Sequence, residues 1–392
     1  MTDSFGRLAT QVPGLHRHIP SDVAGTTRPL VVLLHGLGGN RDDWISPLQE
    51  RNLPFDYRQN PPPIPLGEQE SQPQAAVLGL LPSSYASPRL TANSNGVEGS
   101  DDRSWWHALA QAGFPLLTYS QVPGFLLPFE LGPVAELRAF METLQDDLQD
   151  DPAFAQRPVV IVGHSRGGLI ARAYLGDPEV KADTTSRFPG VTGLITLSTP
   201  HAGSKMALLD DPIVTFISAL RRVLSVLPFD SADRILDSIQ EIIVSIMGRE
   251  TDEIAPGSQL YQTLEAQEPI PPGVRCFSMG GTSPRFVRIY ARLLDLVGPL
   301  RSRATGEIGF RWQAKAKEIK GAAILDGRMF KWVGVDLDEM TDGRGDGLTA
   351  DASCHFPASF HEEGHLSLPM NHGEELWSAG LQEAIIQRLQ TF

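Results

Sequence analysis

Cysteine is almost absent. Of 392 residues only Cys276 and Cys354 carry a thiol, so a disulfide framework is excluded, one bridge at most can form, and two buried free thiols are the simpler expectation. Long apolar runs are also missing. No stretch approaches the ~20 residues that a membrane-spanning helix needs. The opening MTDSFGRLATQVPGLHRHIP lacks the basic end and apolar stretch of a secretory signal. The chain is therefore expected in the cytoplasm without a transmembrane segment, although a form already relieved of a leader would read the same. Positive charge is scarce too. The 33 Lys and Arg against 47 Asp and Glu leave a net charge of −14, which repels a phosphate backbone and argues against nucleic acid as a partner. No internal repeat is present.

What is present is alternation. With 41% hydrophobic residues the chain can bury a large core, and its length suits one elaborated domain over 1–392. Short apolar runs fall at Leu30 to Leu34, Ala76 to Leu81, Phe114 to Tyr119, Val159 to Val162, Val191 to Leu197 and Val274 to Met279. Helical spacing fills Ser104 to Ala112, Val134 to Leu148 and Gly167 to Leu175. Continuous apolar strands between helices predict an α/β fold, a mostly parallel central sheet buried on both faces and flanked by helices.

Three stretches interrupt the pattern. Residues 54–99 are rich in Pro, Ser, Asn and Gly and read as a surface excursion around one strand. Within 204–260, Ala207 to Met247 carries Ile213, Phe216, Ile217, Leu220, Leu224 and Leu227, then Ile235, Ile239, Ile242 and Ile246. That spacing predicts two amphipathic helices, broken at Pro228 to Ser231 and serving either as a lid or as ordinary core. Residues 285–320, a second insertion, are locally basic and read as a solvated helix face.

The chemistry-bearing signal follows the strand VVIV. Gly163-His164-Ser165-Arg166-Gly167 satisfies GxSxG between a strand and a helix, the context in which a serine on a sharp turn becomes a nucleophile. Small neighbours allow the strained backbone and the close helix. An ordinary capping serine is the plainer alternative. If the turn is a nucleophile turn, the Arg166 amide becomes one oxyanion donor, and its side chain is free to pair with an acid. The strand LVVLL ends in His35-Gly36-Leu37-Gly38-Gly39, which offers the Leu37 amide as the second donor. A dinucleotide loop fits poorly, because the full GxGxxG set is missing and Asp42 and Asp43 follow.

Such a serine needs an imidazole to take its proton and a carboxylate to hold the imidazole, in the order Ser, acid, His. Asp346 sits between glycines after a possible strand at Lys331 to Val335, with Asp342 and Asp351 as substitutes. His372 precedes the last helical segment, and His355, His361 and His365 compete with it. Spacing alone does not choose among them. His361 to His365 also satisfies HExxH, the helical zinc-peptidase pattern, but Gly364 breaks the required helical turn and loop or extended chain follows.

With HGLGG, GHSRGG, STPHAGS (Ser198 to Ser204), APGSQL (Ala255 to Leu260), VRCFSMGGT, GDGLT and NHGEE in this order, the chain resembles bacterial triacylglycerol lipases and their carboxylesterase relatives in the α/β-hydrolase superfamily. The resemblance implies Ser165, Asp346 and His372 as triad, the Leu37 and Arg166 amides as oxyanion donors, and a lid at Ala207 to Met247. It implies an ester or lipid substrate, transient contact with a lipid interface and no required cofactor. Many such lipases bind calcium through an aspartate two residues beyond the histidine; here Glu374 stands there, keeping an oxygen ligand in kind. An acyltransferase with the same triad, a zinc hydrolase and a non-catalytic interaction protein are the rival readings.

Overall fold

The computed structural model describes residues 5–12, 14–37, 39–47, 78–82, 104–149, 151–154, 157–183, 190–208, 249–267, 269–271, 273–284, 287–301, 308–318 and 337–392. Seven strands among them form one sheet. In spatial order these are β1 (His16–His18), β4 (Leu116–Thr118), β2 (Leu30–Leu34), β5 (Val159–His164), β6 (Val191–Leu197), β7 (Arg275–Gly281) and β10 (Glu362–Leu368). Only β1 runs antiparallel to its neighbour; every other adjacent pair is parallel. A second sheet joins β3 (Leu78–Pro82), β8 (Val287–Arg301) and β9 (Ile308–Glu318), all antiparallel.

Why the central strands are apolar throughout is plain from their two-sided burial. In β2, Leu30, Val32 and Leu34 face one core and Val31 and Leu33 the other, and all five are fully buried. The first core is closed by α1 (Gly6–Gln11), α4 (Gly132–Gln149), α5 (Arg166–Gly176) and α7 (Gln259–Ala266), the second by α2 (Asp42–Ile45), α3 (Trp105–Gln111) and α9 (Ala379–Leu389). Two shorter helices, α6 (Pro178–Asp183) and α8 (Asp351–Cys354), complete the set. Burying each aliphatic side chain in such a core contributes roughly 1.5–3 kcal/mol before the entropy of ordering is subtracted. The hydroxyl of Ser104 starts α3 by accepting the His107 N–H at 3.1 Å, and Ser378 caps α9 in the same way at 3.5 Å.

One feature of this order positions the site. From β2 the chain goes outward to β4, then returns past β2 to β5 and continues the other way to β6 and β7. Strand order therefore reverses between β2 and β5, and loops at the C-terminal ends of strands diverge there to leave a crevice. The β2–β5 register aligns Leu34 with Gly163, so HGLGG and GHSRGG emerge side by side. A mostly parallel sheet covered on both faces, with a strand–turn–helix at its switch point, is the α/β-hydrolase arrangement. No helix among the described residues is long and apolar enough to cross a membrane.

Several expectations need correction. Of the apolar run at Ala76 to Leu81, the described part from Leu78 does form a strand, but in the antiparallel sheet. Within 285–320, Val287–Arg301 and Ile308–Glu318 pair as antiparallel strands and not as a helix face: Val287-Arg288-Ile289-Tyr290-Ala291-Arg292-Leu293 has the two-residue period of a strand, which a count of basic residues does not detect. The chain at Leu366 to Leu368, expected as loop or extended, is indeed extended and belongs to edge strand β10, whose half-exposed, polar sequence EEGHLSL gives no apolar run. The same strand removes the HExxH helix. Cys276 and Cys354 are buried and free, as expected. The remainder of the 54–99 excursion, the lid helices beyond Leu208 and the strand at Lys331 to Val335 lie outside the described residues.

Candidate active site

Ser165 joins β5 to α5 with φ 52° and ψ −124°, a left-handed conformation that costs an L-residue on the order of 1–3 kcal/mol. Neighbouring groups hold it there. Its N–H donates to the Leu197 carbonyl at the end of β6 (2.7 Å), and its carbonyl accepts from the Gly168 N–H (3.1 Å) and the Thr199 hydroxyl (2.9 Å). The helix crosses so close that a Cβ on Gly163 would lie 2.6 Å from the Gly168 nitrogen. Ser165 is half-buried, whereas all of β5 and all of α5 are buried.

The β2 turn comes against this serine. The Gly36 carbonyl accepts the Gly39 N–H at 3.2 Å, which makes Leu37 the first corner of a turn. A Cβ on Gly36 would lie 3.1 Å from Ser165 Cβ. Leu37 thus follows a residue in contact with the serine, and Arg166 begins the helix, where first-turn amides lack intrahelical acceptors. The Arg166 guanidinium donates to the Gly124 carbonyl, tying the loop after β4 to the elbow.

Acid and base arrive from the far end of the chain. Asp346 Oδ2 is 2.7 Å from His372 Nδ1, and both side chains are buried. Asp346 Oδ1 accepts the Leu348 and Thr349 N–H groups at 2.8 and 2.7 Å, so both oxygens are fixed. The His372 ring lies 4.7 Å from the His164 ring, and the His372 carbonyl is 3.2 Å from His164 Nε2. The base is thereby brought beside the residue preceding Ser165. The competing candidates lie elsewhere: Asp351 pairs with His365 (3.0 Å), while Asp342, His355 and His361 are exposed.

A second buried carboxyl, Glu375, was not singled out by the sequence. It accepts from the Ser198 hydroxyl, lies 3.4 Å from His164 Nε2, and offers its backbone carbonyl to Trp105 Nε1 at 2.8 Å. Ser198 is itself in a positive-φ conformation (42°) and accepts the Gly281 N–H at 3.2 Å. Gly281 makes room for the cluster, since a Cβ there would meet the Met370 carbonyl at 2.5 Å and Asp346 Cβ at 2.7 Å. These partners lie up to 270 residues apart. The sequence signals were the Ser of STPHAGS and the second Glu of NHGEE.

Burial sets the charges. Burial disfavours ionised Asp346, but His372 and the two loop amides outweigh it and hold the carboxyl below its ordinary value. Burial likewise works against a charged His372, yet Asp346 beside it raises the imidazole above its ordinary value. Glu375 is pushed well up, first by burial and then by the Asp346 charge, so it stays protonated while Asp346 carries the negative charge. His164 is pushed down to about 3 by burial and by His372, and remains neutral.

The other motifs support this frame. In STPHAGS, the Ser204 hydroxyl donates to the Leu348 carbonyl at 2.6 Å, next to the acid, and the Ser204 N–H donates to Ile254 O at 2.8 Å, just before APGSQL. The two ends of the stretch 204–260 thus meet. Glu374 closes its own turn: it accepts the Asn371 N–H at 3.0 Å, and Asn371 Oδ1 accepts the Glu374 N–H at 2.9 Å. No trio of histidine, cysteine or carboxylate ligands among the described residues includes Glu374. Trp105, Trp106 and Phe129 are core, whereas Phe125 is exposed beside the carbonyl that holds Arg166.

A family model described as PGAP1-like alpha/beta domain matches residues 137–283, a span that contains Ser165 and stops before Asp346 and His372. Among solved structures, the chain is similar to the mature Bacillus licheniformis lipase BlEst2 (12% identity, TM-score 0.45, 97% of this chain and 98% of that one). It is also similar to EstA from Clostridium botulinum (13%, 0.41, 97% and 92%) and to Staphylococcus hyicus lipase (12%, 0.44, 95% and 98%). Likenesses of this degree do not carry the fold assignment, which rests on strand order and the Ser165 turn. A comparison with curated proteins gave no match.

Proposed function

We propose that this chain is a serine hydrolase of hydrophobic carboxylic esters, a lipase or carboxylesterase, working through an acyl-enzyme on Ser165. The observation that carries the reading is the Asp346–His372 pair, 2.7 Å apart, with the His372 ring 4.7 Å from that of His164, the residue before the strained turn that presents Ser165.

In this reading, neutral His372 takes the Ser165 proton as Oγ attacks the ester carbonyl, and Asp346 stabilises the resulting imidazolium. The developing oxyanion is met by the Leu37 and Arg166 amides, whose preorganised dipoles need no rearrangement. As the carbonyl re-forms, the C–O bond to the alcohol breaks and His372 gives its proton to the departing oxygen. Water then adds to the acyl group by the same route, releasing the carboxylic acid and free Ser165.

A hydrophobic substrate is supported by the surface around the turn. Val122, Phe125 and Leu131 are exposed on the segment after β4 that Arg166 grips, and Leu208 is exposed where the stretch toward the proposed lid begins. The test is hydrolysis of aryl esters of graded acyl length by wild type and Ser165→Ala. Turnover that favours medium or long chains and disappears in the variant supports the proposal. Equal turnover by the variant refutes it.

A further inference from the structure

Apart from the Ser165 site, one other group of potential metal ligands stands out among the described residues. His355, Glu362 and His365, the first exposed and the other two half-buried, bring their ligating atoms within 4.8 Å of one another. Their sequence positions alone would not place them together. Residues 362 and 365 of a regular strand face opposite sides, but the register of β10 against β7 shifts between Glu362 and Gly364. That bulge turns both side chains to one face, where the Ser278 hydroxyl contacts Glu362 Oε1 and His365 Nδ1. His355 reaches the same place from the end of α8: its Nδ1 is 3.2 Å from Glu362 Oε2, and its ring stacks on His365 with centroids 3.7 Å apart.

We propose that His355, Glu362 and His365 form a structural site for a first-row divalent cation, zinc above all. Two imidazoles and a carboxylate are a ligand set suited to zinc, with water completing a tetrahedron. Ligand atoms around such an ion lie about 3.3 Å apart, and rotation of the exposed His355 closes the remaining gap. An oriented outer partner is already in place. Asp351 Oδ1 is 3.0 Å from His365 Nε2, and its other oxygen accepts from the Ser367 hydroxyl at 2.8 Å. One His365 nitrogen faces Asp351 and the other Ser278, so whichever binds the cation, an oxygen fixes the tautomer of its opposite. Glu362 and Asp351 also give the cluster an excess negative charge that a divalent cation offsets.

The ion would act as a clamp. Asp351 starts α8 five residues after Asp346, and β10 ends four residues before His372. Bridging α8 to β10 fixes the loop that carries the acid against the strand that delivers the base. The site takes no part in bond breaking, which separates it from the HExxH reading of the same residues: His361 is exposed and outside the cluster.

The test uses the full chain, stripped with a chelator and titrated with zinc by calorimetry, with thermal melting in parallel. One zinc per chain at micromolar affinity or tighter is expected, with melting raised by about 3 °C at a hundredfold excess over the dissociation constant. His355→Ala and Glu362→Gln should each weaken binding at least ~10-fold, and His361→Ala should leave it unchanged. Ester hydrolysis at 25 °C should survive the stripping. No binding at 100-fold the protein concentration would overturn the proposal, as would undiminished binding in the double variant His355→Ala, His365→Ala.

Discussion

Asp346 and His372 are joined twice: the carboxylate meets the imidazole Nδ1 at 2.7 Å, and the Asp346 carbonyl accepts the His372 N–H at 3.1 Å. The backbone bond fixes where the loops meet, and the side-chain bond fixes the tautomer, leaving Nε2 as the nitrogen to take a proton. Asp346→Asn keeps the shape but favours the wrong tautomer. It should lower kcat on the order of 10⁴-fold with little change in KM, measured on a soluble aryl ester. Unchanged kcat would remove Asp346 from the triad.

The same pair predicts a pH profile. In the proposed mechanism His372 must be neutral to accept a proton, and its value is raised above the ordinary 6.5 by Asp346 despite burial. Activity is therefore lost as pH falls through that raised value, so the acid limb of kcat/KM should lie above pH 6.5. In Asp346→Ala the limb of the residual activity should move to lower pH. For stability the sign is opposite. The pairing energy on His372 is fully present below its unfolded value and is lost as pH rises through the folded one.

Glu375 gives a separate test. Held protonated by burial and by Asp346, it binds a proton in the folded chain that the unfolded chain releases above its ordinary value of 4.5. Folding stability from this group therefore falls as pH rises above 4.5. Glu375→Gln removes that slope, so the variant should gain stability relative to wild type, increasingly with pH. Urea melts at pH 5 and pH 8 check this; a variant less stable at pH 8 than at pH 5, relative to wild type, would contradict a protonated Glu375.

Gly281→Ala probes the packing beneath the triad. The added methyl would approach the Met370 carbonyl and Asp346 Cβ at 2.5 and 2.7 Å, so Asp346 must shift. A loss of about 1–3 kcal/mol in stability is expected, together with a fall in kcat exceeding that of a variant of equal stability remote from the site. Chemical denaturation and steady-state kinetics on the same preparations separate the two effects.

Much of this architecture was legible because burial on both faces writes itself as runs such as LVVLL and VVIVG. The Ser165 turn was legible because its strain demands glycines. Edge strand β10 was not, since half-exposed polar residues carry no apolar run, nor was the β8–β9 hairpin, whose basic residues drew attention away from their period of two. Sequence order admitted three acids and four histidines; what pairs Asp346 with His372 is the three-dimensional path of the loops, which no spacing records. The Ser198–Glu375 contact spans 177 residues, and no local pattern records a buried hydrogen bond of that reach.

The central claim is that Ser165 is the nucleophile, and an organophosphonate ester carrying an alkyl chain tests it most directly. Peptide mapping by mass spectrometry after reaction should find one phosphonyl adduct per chain, on Ser165, with activity lost in proportion. Ser165→Ala should remain unlabelled. An adduct on another serine, or none on a folded chain that still hydrolyses esters, would contradict the account.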